Sequence, residues 1–199
     1  SAQHISFTHE VETTLIDPFS GQVLSNDRVD QPGLGALSLY DASTALVRDT
    51  SAFGATSPIR GMRTRLEVAP MVGDLKLTSV TLDYRRYFMP VRPITLAGRV
   101  VHVGRYGANA EDPRLYPLFL GYPELIRGYD ANSFSAVECT PTPLGNCPEF
   151  DRLFGSRIMV FNGEVRAPLV ALFSGKLTYG RVPAEIFGFV DSGLAWNAS

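Results

Sequence analysis

The chain has 199 residues, which suits one domain with a sizeable core or a section of a larger one. Hydrophobic residues make up 45% and charged residues 19%, a balance that excludes a disordered tail. A net charge of -2 gives no basic footprint for a nucleic-acid partner.

No stretch approaches the ~18 consecutive apolar residues of a membrane-spanning helix, because Arg, Asp and Glu interrupt every apolar run. Residues 1–10 are polar and mixed, without the pattern of a secretory signal. A membrane protein of this profile has to be a β-barrel, since only helices and closed barrels satisfy every backbone group in lipid. Mean hydropathy near zero, +0.03, suits a barrel and a soluble β-protein equally.

The recurring signal is alternation, punctuated by 18 Gly and 14 Pro. It predicts seven strands, roughly 3–14, 35–49, 61–70, 74–89, 93–106, 155–168 and 182–196, in a single region 1–199 with no second domain. Several exceed the ~5–6 residues usual in soluble proteins and suit the ~9–11 of a tilted membrane-spanning strand. In 74–89, Asp83 and Arg85 share a face with Tyr87, while Val80, Leu82, Tyr84 and Phe88 share the other. Tyr87, Phe88 and Trp196 fall near strand ends, where an aromatic girdle would lie.

Residues 107–154 alternate little and form a segment far longer than the ~12–15 residues beyond which structureless loops are uncommon. Tyr116, Leu118, Phe119, Leu120 and Tyr122 make it too apolar to stay in water, and the inside of a wide barrel is a natural place for it. It also carries Cys139 and Cys147. An oxidising compartment would join them and close a short loop, worth about 2–3 kcal/mol. Zinc is the rival reading, but two thiols without a third Cys or a nearby His make a poor site.

In the strand near residue 160, Asn162, Glu164 and Arg166 share one face, while Met159, Phe161, Gly163, Val165 and Ala167 share the other. A soluble sandwich would turn the apolar face to its core, and a porin-like barrel would turn it to lipid. Alternation does not separate the two.

Three motifs then stand in order: Arg127-Gly128-Tyr129 at the loop tip, Asn162-x-Glu164-x-Arg166-x-Pro168 on the next strand, and Phe189-x-Asp191-x-Gly193-x-x-Trp196 on the one after. Their order and spacing, with GATSPIRG (54–61) and DYRRYFMPVRPITLAGR (83–99) upstream, resemble the bacterial surface-antigen (BamA/TamA-like) outer-membrane β-barrel family. The resemblance covers nearly the whole chain, most firmly 54–196. It implies an all-β fold, an antiparallel transmembrane β-barrel segment contributing about seven strands of a sixteen-stranded barrel. The family barrel usually follows periplasmic POTRA domains and has three further strands after the one that ends here. The resemblance further implies a loop folded into the lumen and a role in inserting or translocating outer-membrane polypeptides. Partners would be outer-membrane lipid, unfolded polypeptide clients, and periplasmic accessory domains or lipoproteins, with no cofactor.

The residues themselves predict the lock. Arg127 is a planar cation best matched by carboxylates, with Asp191, Glu164 or both as its partners. Gly128 would let the backbone turn tightly or approach the wall, and Tyr129 would pack and hydrogen-bond. The plain alternative is a solvated loop charge, worth ~0–1 kcal/mol.

An enzyme is not expected. The only histidines are His4, His9 and His102, the last between valines and expected to be packed or lumen-facing. No nucleophile elbow, zinc-protease motif or phosphate-binding loop occurs, and GLGALS (33–38) is half a dinucleotide fingerprint. Acidic residues do not cluster at metal-ligand spacing. The alternatives to a translocating barrel are a structural or adhesive surface barrel that transports nothing, and a soluble β-rich binding domain.

Overall fold

The computed structural model describes residues 2–5, 9–16, 23–31, 37–129, 133, 136–140, 147–174 and 183–198. Among these, thirteen strands form in chain order. They are β1 (Ala2–Ile5), β2 (His9–Ile16), β3 (Val23–Gln31), β4 (Leu37–Asp41), β5 (Thr44–Asp49), β6 (Ala52–Phe53) and β7 (Pro58–Gly73). Then follow β8 (Leu77–Val91), β9 (Ile94–Tyr106), β10 (Leu118–Phe119), β11 (Phe154–Gly155), β12 (Arg157–Pro168) and β13 (Glu185–Trp196). Helix among the described residues is confined to a 3-10 turn at Ala136–Glu138, α1 (Pro148–Asp151) and α2 (Leu169–Ser174). No described helix is long and apolar enough to cross a membrane.

All pairing is antiparallel. The main sheet runs β1-β4-β7-β8-β9-β12-β13 and is open, while β2 pairs with β3 and β10 with β11. The predicted strand 3–14 is two strands belonging to different sheets, and β3 was not predicted. Predicted 35–49 is broken at residues 42–43 into β4 and β5, both paired to β7. Positions 6–8, 35–36, 130–132, 134–135, 141–146 and 182 of the predicted elements lie outside the described residues.

Period-two alternation gives the sheet two unlike faces. Register places Glu67, Asp83, Arg85, Arg99, Asn162, Glu164, Arg166 and Asp191 on one of them. The other carries Leu66, Val68, Val80, Leu82, Tyr84, Phe88, Leu96, Val100, Phe161, Val165, Val190 and Leu194. Ser57, just ahead of β7, donates to the Glu185 carboxylate at the start of β13, 2.7 Å away. Four strand spacings, ~19 Å, separate β7 from β13 along the sheet, so the sheet curls with its charged face concave.

Residues 118–126 and Leu153 of the long segment lie on that concave face. Leu120 is 2% exposed and packs with Val101, Ile158 and Val160 of the wall, joined by Leu118, Leu125, Ile126 and Leu153 from the same segment. Its two halves are tied by the β10–β11 pair and by the stack of Phe119 on Phe154, 4.7 Å between centroids. Cys139 and Cys147 are disulfide-bonded. The segment is therefore organised by short elements of its own, and alternation did not reveal them.

Candidate functional site

The loop reaches its tip through a hydrogen-bonded turn, in which the Tyr122 carbonyl accepts from the Leu125 and Ile126 N–H groups. Gly128 follows at φ +89, a left-handed conformation that L side chains rarely adopt. A Cβ there would meet nothing within 4 Å, so this glycine serves the turn and not a close approach to the wall.

The turn aims Arg127 at the concave face. Its Nε donates to Asp191 Oδ2 at 2.7 Å and its Nη2 to Asp191 Oδ1 at 2.6 Å, a bidentate fork. The backbone N–H of Arg127 donates to Asp191 Oδ2 at 3.0 Å, and Nη1 donates to Glu164. The guanidinium lies over the Phe189 ring, 4.0 Å from its centroid. Arg166 donates to the other oxygen of Glu164, so one carboxylate serves two cations. The hydrogen bond to Asp191, with Glu164 adding to it against burial, raises the Arg127 pKa above its ordinary value. The loop tip thus stays charged at any physiological pH.

Register explains why these groups meet. Asn162 stands opposite Asp191 and Glu164 opposite Phe189, so the second and third motifs sit side by side on one face. Asn162 Nδ2 donates to the Leu125 carbonyl at 2.9 Å, a third tie to the loop. Gly193 is the fourth. A Cβ there would lie 2.8 Å from Ile126 Cδ1 and 3.1 Å from Leu120 Cδ2, so the bare wall admits the loop's apolar side chains.

Three predicted residues stand elsewhere. Tyr129 is 43% exposed, and its backbone N–H donates to Ile126. Tyr87 faces inward at 8% exposure, with Arg166 over its ring, so it does not belong to a girdle on the apolar face. His102 lies on the face opposite the lock and is packed, the first of its two expected readings. It stacks on Trp196 at 5.8 Å and bonds the Tyr106 hydroxyl at 2.6 Å. Phe88 and Trp196 are on the apolar face.

A second set of ties had no counterpart in the predicted lock. Arg99 donates to the Glu124 carbonyl at 2.9 Å and also pairs with Asp83, which Arg85 holds from the other side. The alternation phase of β9 was the signal, since Arg99 stands opposite both Arg85 and Asn162. Between the loop and the wall remains a cavity of about 220 Å³ lined by Arg85, Arg99, Arg127, Asn162, Glu164 and Arg166.

Compared with known proteins, the chain matches no family model and no curated protein.

Proposed function

We propose that the chain is a section of a bacterial outer-membrane β-barrel of the surface-antigen class, whose work is to insert or translocate outer-membrane polypeptides. The observation that carries this reading is an inversion of the soluble pattern. The charged face is concave and covered by an apolar loop, whereas the apolar face is bare. Leu46 is 71% exposed, Val190 70% and Leu194 50%. A water-soluble protein rarely exposes so large a contiguous apolar surface, while a lipid-facing barrel wall requires it.

On this reading Arg127, with Gly128 and Tyr129 beside it, braces the loop inside the lumen through Asp191 and Glu164. Asn162, Arg166, Phe189 and Gly193 support the brace. Further strands outside this chain complete the sixteen-stranded wall, and lipid, client polypeptides and periplasmic accessory domains or lipoproteins are the partners. No cofactor and no catalytic group enter the mechanism.

The test uses the native polypeptide that carries this chain, reconstituted in phospholipid vesicles. An unfolded outer-membrane polypeptide is added, and its acquisition of protease resistance is followed over time. Acceleration of at least tenfold over empty vesicles is expected. A polypeptide that inserts into the vesicles but accelerates nothing would leave a barrel without transport activity.

A further inference from the structure

The bare face carries a groove on the side of the sheet away from the loop. In register, Arg86 of β8 stands opposite Gly98 of β9, Gly98 opposite Gly163 of β12, and Gly163 opposite Val190 of β13. This row crosses four strands with two adjacent glycines in its middle. The rows on either side are bulky, with Tyr84, Val100 and Phe161 on one and Phe88, Leu96 and Val165 on the other. The two missing side chains, beside the ridge of Tyr84, Val100 and Phe161, leave a mainly apolar groove of about 400 Å³ that Arg86 and Val190 also line. It runs ~14 Å from Arg86 to Val190 at the ordinary strand spacing.

Neither glycine is needed for the backbone, since neither has a positive φ. A Cβ on Gly98 would meet nothing within 4 Å. Glycine inside a strand weakens it, and often marks the close approach of something else. At the end of the row, Arg86 is exposed, and its guanidinium makes no hydrogen bond or ion pair with any described residue. Its neighbour Arg85, on the other face, is held by Asp83 at 2.8 Å. An unpaired guanidinium on a lipid-facing wall is costly and marks a site. Arg86 lies five residues before Val91, which pairs with Ile94 at the short β8–β9 turn. Its long stem lets the charge reach toward headgroup level.

We propose that this groove holds a phospholipid, with one acyl chain lying on Gly98 and Gly163 and the phosphate paired with Arg86. Planar guanidinium and phosphate match in charge and geometry. The assignment rests on the reading that the apolar face meets lipid.

The native polypeptide, exchanged into detergent with phosphatidylglycerol, is weighed by native mass spectrometry. It should retain one phosphatidylglycerol more than its variants. Arg86→Gln should lower that retention about tenfold. Gly98→Val fills the groove and should abolish retention, with strand circular dichroism unchanged. Diacylglycerol, which lacks the phosphate, should be held by the unaltered protein as poorly as phosphatidylglycerol is by Arg86→Gln. Glycerol phosphate, which lacks the chains, should not compete.

Undiminished phosphatidylglycerol retention by either variant overturns the site. An unfolded polypeptide held in the groove, and lost in Gly98→Val while phosphatidylglycerol is not, would assign the groove to a client instead. A polypeptide that never enters phospholipid vesicles defeats the lipid-facing reading itself. One that enters them yet retains no phosphatidylglycerol defeats this assignment alone.

Discussion

Asp191 has only 3% of its side chain exposed, while Arg127 keeps 28%. The carboxylate is therefore the partner that suffers when the pair is broken. Arg127→Ala would leave Asp191 enclosed without its fork and Glu164 with Arg166 alone. Stripping one partner from a buried pair costs about 3–5 kcal/mol, and partial exposure puts this case near about 3. Denaturant unfolding should show the loss as a lower midpoint with an unchanged slope. Arg127→Lys should recover less than half of it, because an ammonium cannot fork to two oxygens while reaching Glu164. Gly193→Val tests the same contact from the wall. Its side chain would enter space occupied by Ile126 and Leu120. Overpacking of that kind costs about 1–3 kcal/mol, and limited proteolysis of the loop should quicken.

These residues were legible in the sequence because a planar cation at a loop tip has few adequate partners, and two carboxylates stood at matching phase on successive strands. Arg99 was less legible, since its carbonyl partner in the loop depends on the path of the chain and not on any side chain. His102 is packed, as one of its two expected readings had it, whereas Tyr87 does not join a girdle. Nearness to a strand end says nothing of which face is covered until the neighbouring register is fixed.

At the scale of elements, alternation located the long strands well, because one face of each is held by charge and the other is apolar. It failed where pairing rather than pattern sets the boundary. The break at residues 42–43 falls opposite Ala69 and Pro70 within one continuous register on β7, where Ala42 still donates to Pro70 but Pro70 has no N–H to give to the ladder. The long loop was legible as buried but not as folded, since its short elements are fixed by ties between distant positions.

One such tie is the Cys139–Cys147 bridge, eight residues apart. Beside it, Glu149 accepts from the Thr140 N–H and hydroxyl. Replacing both cysteines by serine should leave sheet unfolding unchanged while cleavage within 136–151 rises several-fold in a protease time course. Loop closure of this size is worth about 2–3 kcal/mol to the segment alone. A pH effect belongs to the same loop. The side chain and N–H of Arg114 hold the Asp112 pKa down to about 2. Because folding lowers this pKa, the contact is fully present above about pH 4, the ordinary carboxylate value, and is lost as pH falls toward 2. Hydrogen exchange at the Arg114 amide should rise across that window, after correction for its intrinsic pH dependence. Asp112→Asn should remove the rise.

The molecule as a whole shows what its strands taken singly do not, namely which face of the assembled open sheet is concave and covered. Trp196 makes the consequence measurable, since it is the chain's single tryptophan and lies on the apolar face at the loop-side end of β13. There it stacks on His102, beside Tyr106 and Arg157, whose guanidinium lies 4.5 Å from the Tyr106 ring centroid. An aromatic and basic cluster at the margin of an apolar band is where a barrel meets the headgroup layer. The Trp196 signal can be isolated as the difference between the native polypeptide and its Trp196→Phe variant in vesicles. Lipids brominated high on the acyl chain should quench it strongly, and lipids brominated near the chain end weakly. Equal quenching by both would place the cluster too deep for a girdle. No quenching by either would put the apolar face against protein, and the lipid-facing wall would have to be abandoned.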